Sequence, residues 1–138
     1  MMRRAIIDTG PIVSALDGND AYHGWTVQRL AELASPLLTC ESVLSEAFFL
    51  LRNQPQGPSK LRKLLQTGAL RIGFSLSEEM QPVLRLMAKY NDLPMSLADG
   101  CLVRMSELLS DHAVLTVDRH FLVYRKARNA SISTIFPE

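Results

Sequence analysis

Five short apolar runs that do not alternate with polar residues constrain this chain more than any other feature. They are Arg4-Ala5-Ile6-Ile7, Leu37-Leu38-Thr39-Cys40, Leu70 to Phe74, Val114 to Val117 and Ile132 to Ile135. A strand with one wet face alternates, whereas a run that is apolar nearly throughout is buried on both faces. The stretches between them carry helical signals. Pro11 is placed to open a helix through Leu16. Asp20 is placed to cap one in which Tyr22, Trp25, Arg29, Leu30 and Leu33 recur at helical spacing. Residues 41–52 are a strongly apolar helix, and Ser59 begins another that stops at Gly68. Ser75 or Ser77 starts a helix to about Tyr90, with Pro82 near its first turns, and Pro94 and Ser96 begin one running to about Ser110. Short buried strands between helices predict an α/β fold: a parallel, roughly five-stranded sheet with helices outside, joined by right-handed crossovers.

The length of 138 residues suits one compact domain spanning residues 1–138. Hydrophobic residues make up 47% of the chain, enough for a sizeable core. No apolar run approaches the ~20 residues of a membrane-spanning helix. Asp8 interrupts the N-terminal stretch MMRRAIID before it becomes a signal peptide, so a cytoplasmic protein is expected. Cys40 and Cys101 sit in apolar contexts outside any CxxC pair and read as buried free thiols. A net charge of +1 argues against a general polyanion binder. Positive charge is nevertheless local, in Arg119, Arg125, Lys126 and Arg128 and in Lys60, Arg62 and Lys63. These are solvated faces or landing sites for phosphates.

In an open parallel sheet the active crevice lies beyond the carboxyl ends of the strands. Asp8 follows the first run directly, and Asp118 follows the fourth. Glu46 lies about one and a half turns into the helix after the second. Asp99 lies one turn into the helix before the fourth, so it can reach the same edge. Each acid has a plainer role open to it. Asp8 can cap a helix, Asp99 can complete a capping box with Ser96, and Asp118 can start a turn. Glu46 stands among Val43, Leu44, Ala47 and Phe48, so it either takes the polar edge of its helix or meets a positive partner. The single roles do not explain four acids converging on one edge. Clustered carboxylates raise one another's pKa, and a divalent cation removes that repulsion. Hard oxygen ligands select Mg²⁺ or Mn²⁺, which suits hydrolysis of a phosphodiester. Thr9 and Thr116 are placed to hydrogen-bond the ligands or a water, and Arg119 to neutralise a substrate phosphate.

"IIDTGPIVSAL", "SVLSEAFFLL", "LPMSLADGCLVRMSE" and "LTVDRHFLVYR" together resemble the motifs of PIN-domain proteins, in order and over almost the whole chain. The resemblance implies a three-layer α/β/α sandwich and a Mg²⁺- or Mn²⁺-dependent endoribonuclease. It makes Asp8, Glu46, Asp99 and Asp118 the acidic quartet, with Thr116 the hydroxyl two residues before the last acid. Small members of the VapC type are toxins paired with an antitoxin protein and usually homodimeric, which sets the expected partners beside RNA. Two residues depart from the pattern: Ser96 stands where an acid is expected, removing one outer ligand, and Gly100 where alanine is expected. The alternative is an inactive module on the same fold that binds nucleic acid or protein. A phosphotransferase with Asp8 as nucleophile lacks the usual second acid, because Gly10 occupies that position.

Overall fold

A computed structural model describes residues 2–138. The chain order begins with β1 (Arg4–Ile7), α1 (Thr9–Leu16), α2 (His23–Leu30), β2 (Leu37–Thr39), α3 (Glu41–Leu50) and α4 (Gly57–Thr67). It continues with β3 (Leu70–Ile72), α5 (Leu76–Lys89), α6 (Leu97–Leu108) and β4 (His112–Leu115). Two short strands, β5 (Arg125–Lys126) and β6 (Ala130–Ser131), form an antiparallel ribbon, and β7 (Thr134–Ile135) ends the sheet.

The main sheet has the order β3-β2-β1-β4-β7, and all its pairings are parallel. The path runs outward from β1 to β3, then crosses back to β4 on the other side of β1. Right-handed crossovers place α1 to α4 on one face and α5 and α6 on the other. The result is the expected three-layer sandwich. The switch point lies between β1 and β4, whose pairing is the longest in the sheet, from Arg4 opposite His112 to Ile7 opposite Leu115.

Beyond their first residues, Arg4 and His112, these two strands are apolar because both faces are covered. Ile6, Val114 and Leu115 have no exposed surface, nor do Leu102 and Val103 on α6 or Val43 on α3. Truncating Ile6 to Ala would cost about 2–5 kcal/mol. Gly100 has a structural reason. A Cβ there would lie 3.2 Å from Val83 Cγ1 and 3.3 Å from Met87 Cγ, so glycine lets α5 and α6 approach closely. Both cysteines are buried and free, as expected. Among the described residues no helix is long and apolar enough to cross a membrane.

Several boundaries differ from the sequence reading. The fourth strand is His112–Leu115, two residues earlier than the apolar run suggested; the Thr116 amide still donates to Ile135 O at 3.1 Å while its hydroxyl turns to Asp8. The fifth strand shrinks to Thr134–Ile135. Asp20 does not cap α2; its Oδ1 accepts from the Tyr22 amide in a local turn, and the helix begins at His23. Ser59 lies inside α4, which starts at Gly57, and its hydroxyl donates to the Gln56 carbonyl. Gly68 does end that helix, in the left-handed conformation at φ 79°.

Candidate active site

Asp8 is the residue at which β1 becomes α1. Its amide still belongs to the sheet, donating to Leu115 O at 3.0 Å. Its side chain already belongs to the helix, with Oδ1 accepting from the Thr9 amide at 2.7 Å. The other oxygen, Oδ2, accepts from the Thr116 hydroxyl at 2.8 Å. Thr116 Oγ1 in turn accepts from the Asp118 amide at 3.0 Å. One buried hydroxyl therefore ties the acid after β1 to the backbone of the acid beyond β4. Asp118 caps a short 3-10 turn, Arg119–Leu122, where its Oδ1 accepts from the His120 amide at 2.9 Å. The same oxygen lies 2.8 Å from His120 Nδ1.

Asp99 arrives from the opposite face of the sheet. It forms the capping box of α6 with Ser96, whose hydroxyl accepts from the Asp99 amide at 3.0 Å. Asp99 Oδ2 accepts from the Ser96 amide and from the Tyr124 hydroxyl, each at 3.2 Å. The plainer roles of Asp8 and Asp99 are thus real, and they orient the carboxylates toward the cleft. Glu46 stands on an exposed position of α3, which settles its alternatives in favour of the polar edge. Its Oε2 accepts from the Thr9 hydroxyl at 3.4 Å.

All four acids line one cleft of about 390 Å³, together with Thr9 and Ser96, and no basic residue lines it. Gly10 forms part of the wall for a steric reason. A Cβ there would sit 2.6 Å from Val117 Cγ2, so only glycine lets the start of α1 approach the segment after β4. Burial pushes the Asp8 carboxyl up from 3.8 to about 7, against the hydrogen bonds from Thr116 and Thr9 and with the charges of Asp99 and Asp118. Asp99 is also raised, first by burial and then by the Asp118 charge. The Tyr124 hydroxyl is raised by burial and by Asp99, so it remains a proton donor.

Among the described residues no three acid, histidine or cysteine side chains converge into a ready-formed cation cage. The acids share a cleft rather than a closed coordination sphere. In kind, the donor set fits a hard divalent cation: carboxylate oxygens, a buried acid whose charge no cation offsets, and no thiol or imidazole constellation. Asp8, Asp99 and Asp118 are the residues that would hold it.

Arg119 does not line the cleft. Its guanidinium lies over the Phe136 ring, 5.7 Å from the centroid. Sequence reasoning missed Tyr124 and His120, which hold Asp99 and Asp118. Both lie in an irregular segment where no periodicity marks a role. Their only signal was an aromatic and an imidazole within six residues of Asp118.

Ribonuclease VapC26 of Mycobacterium tuberculosis is 25% identical to this chain over 123 residues, covering 87% of the chain and 91% of the relative. The chain resembles the VapC-type PIN-domain proteins. The relative, the order of the motifs and the parallel sandwich agree in this. No family model matches the chain.

Proposed function

We propose that this protein is a metal-dependent endoribonuclease, the toxin of a toxin–antitoxin pair. The observation that carries the reading is the cleft lined by Asp8, Glu46, Asp99 and Asp118 and by no lysine or arginine. A VapC ribonuclease as a near full-length relative supports it. RNA is then the substrate. When bound, Mg²⁺ or Mn²⁺ would activate a water and offset charge on the scissile phosphate.

The chain's own residues do the rest. Thr116 holds Asp8 with one face toward the cleft and fixes the backbone of Asp118 relative to it. Ser96 and Tyr124 hold Asp99. Glu46 is exposed and loosely held, so it can accept the proton of the attacking water. Attack by water needs no 2′-hydroxyl, and the products carry a 5′-phosphate and a 3′-hydroxyl.

The deciding experiment is cleavage of a labelled structured RNA by purified protein with Mn²⁺ and with chelator, alongside Asp8→Asn. Cutting that needs the metal and disappears in the variant supports the nuclease. The open spacing of the acids also suits a binding module that does not cut. Tight RNA binding by a parent that cuts no RNA, with any partner stripped away, would select that module.

An antitoxin and a second copy of the chain are the proposed protein partners. Trp25 and Phe48 pack against the core, so they supply less free surface than their sequence suggests. Phe49 and Leu50, 60% and 50% exposed at the end of α3 beside the cleft, are the apolar groups a partner would cover. Size-exclusion chromatography at high concentration should give the dimer; a monomer there would count against it.

A further inference from the structure

The acidic cleft cannot hold a polyanion by itself. Four carboxylates line it with no lysine or arginine, and acids clustered on a surface weaken the binding of a nucleic acid. Cations elsewhere on the chain must supply that attraction. One basic run follows the last acid directly: residues 119–130 hold Arg119, Arg125, Lys126 and Arg128 and no acid. It folds back on itself as the β5–β6 ribbon, with Arg125 opposite Ser131 and Lys126 opposite Ala130. At the tip, Arg128 and Asn129 both take left-handed backbone, at φ 61° and 58°. The Ala130 amide donates to the Ala127 carbonyl across them. This is a type I′ turn, whose central positions favour asparagine, aspartate and glycine. An arginine at the first of them strains the backbone, and strain kept on an exposed turn points to a use for the side chain.

The ribbon is built onto the acids. Tyr124, the residue before it, donates its hydroxyl to Asp99 Oδ2 at 3.2 Å. The Arg125 amide donates to the Tyr90 hydroxyl at 2.7 Å, and the rings of Tyr90 and Tyr124 meet edge to face at 5.2 Å. Lys89 Nζ stands 5.2 Å from the centroid of the Tyr90 ring, which brings a cation of α5 to the base of the ribbon. Arg125 is committed to the fold, its Nη1 donating to the carbonyls of Leu122, Val123 and Tyr124. Lys89, Lys126 and Arg128 make no ion pair among the described residues, and Arg128 is exposed. At about 3.3 Å per residue the tip lies within about 13 Å of the Tyr124 backbone. The basic face of α4, with Lys60, Arg62 and Lys63, has no such tie to an acid; the hydrogen bonds of Ser59 and Thr67 there stay local.

We infer that the β5–β6 ribbon is a phosphate clamp for RNA: Arg128 at its tip, with Lys126 and Lys89 at its base, holds the backbone of the strand whose scissile bond lies in the acidic cleft. The inference rests on the nuclease reading for the identity of the polyanion. Contacts to phosphate position a strand and read no base, so the clamp grips RNA whatever its sequence. An acidic segment of a partner protein is the competing occupant, and the ribbon's tie to Asp99 favours the strand that the cleft would cut.

The test uses a fluorescently labelled single-stranded oligoribonucleotide, with anisotropy measured on the full chain in chelator and cleavage measured in Mn²⁺. Arg128→Gly should weaken binding several-fold and raise KM with little change in kcat. It should lower the slope of log Kd against log salt by about 0.7, the value of one phosphate contact on a single strand. The loss should be equal for oligomers of different sequence. The melting temperature of Arg128→Gly should rise by a few degrees, because glycine takes φ 61° without strain. A merely structural arginine would not move affinity and stability in opposite directions. Arg128→Asn keeps the left-handed turn without the charge and should bind as weakly as Arg128→Gly, whereas Arg128→Lys should stay near the parent. Adding Lys126→Met to Arg128→Gly should bring a second loss of similar size. Unchanged Kd, KM and salt slope in that double variant would overturn the clamp, as would parental affinity in Arg128→Asn or a fall in kcat at constant KM. Equal competition by a polyglutamate peptide would overturn the assignment to RNA. If the parent binds with this dependence on Arg128 but never cuts, the clamp stands and the nuclease reading fails. If it cuts with a KM indifferent to Arg128, the nuclease reading stands and the clamp fails. If it neither binds nor cuts, both fall.

Discussion

The two sides of the acidic cleft are built differently. Asp8 and Asp99 are buried, and every contact that holds them comes from a fixed part of the chain: a helix amide, a capping serine, the Thr116 hydroxyl, the Tyr124 hydroxyl. Glu46 is exposed on α3, and among the described residues its one side-chain hydrogen bond is from Thr9, at 3.4 Å. Rigid buried carboxylates suit holding an ion in one place, because no reorganisation is needed when charge arrives. A loosely held exposed carboxylate suits exchanging protons with water. The contrast teaches that four acids of one sequence pattern need not share one job.

Asp8→Asn should break the rigid side most severely. Losing a ligand of the cation forfeits several kcal/mol, which at about 1.4 kcal/mol per tenfold is a loss of cleavage on the order of a thousandfold. Cleavage by the variant at the parent's rate would remove Asp8 from the site. Next in size is a pH effect on the metal-free protein. The Asp8 carboxyl titrates at 3.8 ordinarily and at about 7 in the fold. Its contribution is therefore full below pH 3.8 and is lost as pH rises through about 7, where the fold must hold a buried anion. Asp99 acts in the same direction. At about 1.4 kcal/mol per unit the loss amounts to roughly a few kcal/mol. Melting in chelator should fall between mildly acidic pH and pH 8, and Mn²⁺ should restore it. Asp8→Asn should flatten the profile, although Thr116 then loses its acceptor and part of the gain. A parent profile as flat as the variant's would show that Asp8 is not strained.

Glu46→Gln probes the loose side. The loss in kcat should be about a hundredfold, the lower range for a positioned acid or base. The melting temperature should hold, because exposed substitutions move stability by less than about 0.5 kcal/mol. A large drop in stability would mean that Glu46 is held more firmly than its contacts indicate. The smallest effect is Tyr124→Phe, which removes one hydrogen bond from Asp99 without opening a cavity. Mn²⁺ affinity should weaken about tenfold, the lower range for a residue that orients a ligand. Unchanged Mn²⁺ affinity would leave Tyr124 a packing residue against Tyr90 and Phe121.

The sheet was legible in the sequence because strands buried on both faces leave unbroken apolar runs, and β1 matched its run residue for residue. β4 did not. Its run extended through Val117, but hydrophobicity cannot show that the strand begins at His112 or that Thr116 turns its hydroxyl to Asp8. The four acids were legible because strand ends and helix starts deliver them to one edge. Tyr124, His120 and the left-handed turn at Arg128 were not, since each depends on contacts between segments far apart in sequence or on irregular backbone. Arg119 was read as a phosphate ligand at the acids, and the structure sends it toward Phe136 instead.

The hydrogen bond from Thr116 to Asp8 spans 108 positions and joins strands that are neighbours in the sheet. During synthesis, Asp8 and Glu46 are made well before the strand that completes the second edge of β1. Until then Asp8 lacks the hydroxyl that orients it and Asp118 does not exist. The cleft is therefore completed only by the last quarter of the chain. A chain halted at Asp111 would carry three of the four acids but neither β4 nor the hydroxyl that orients Asp8.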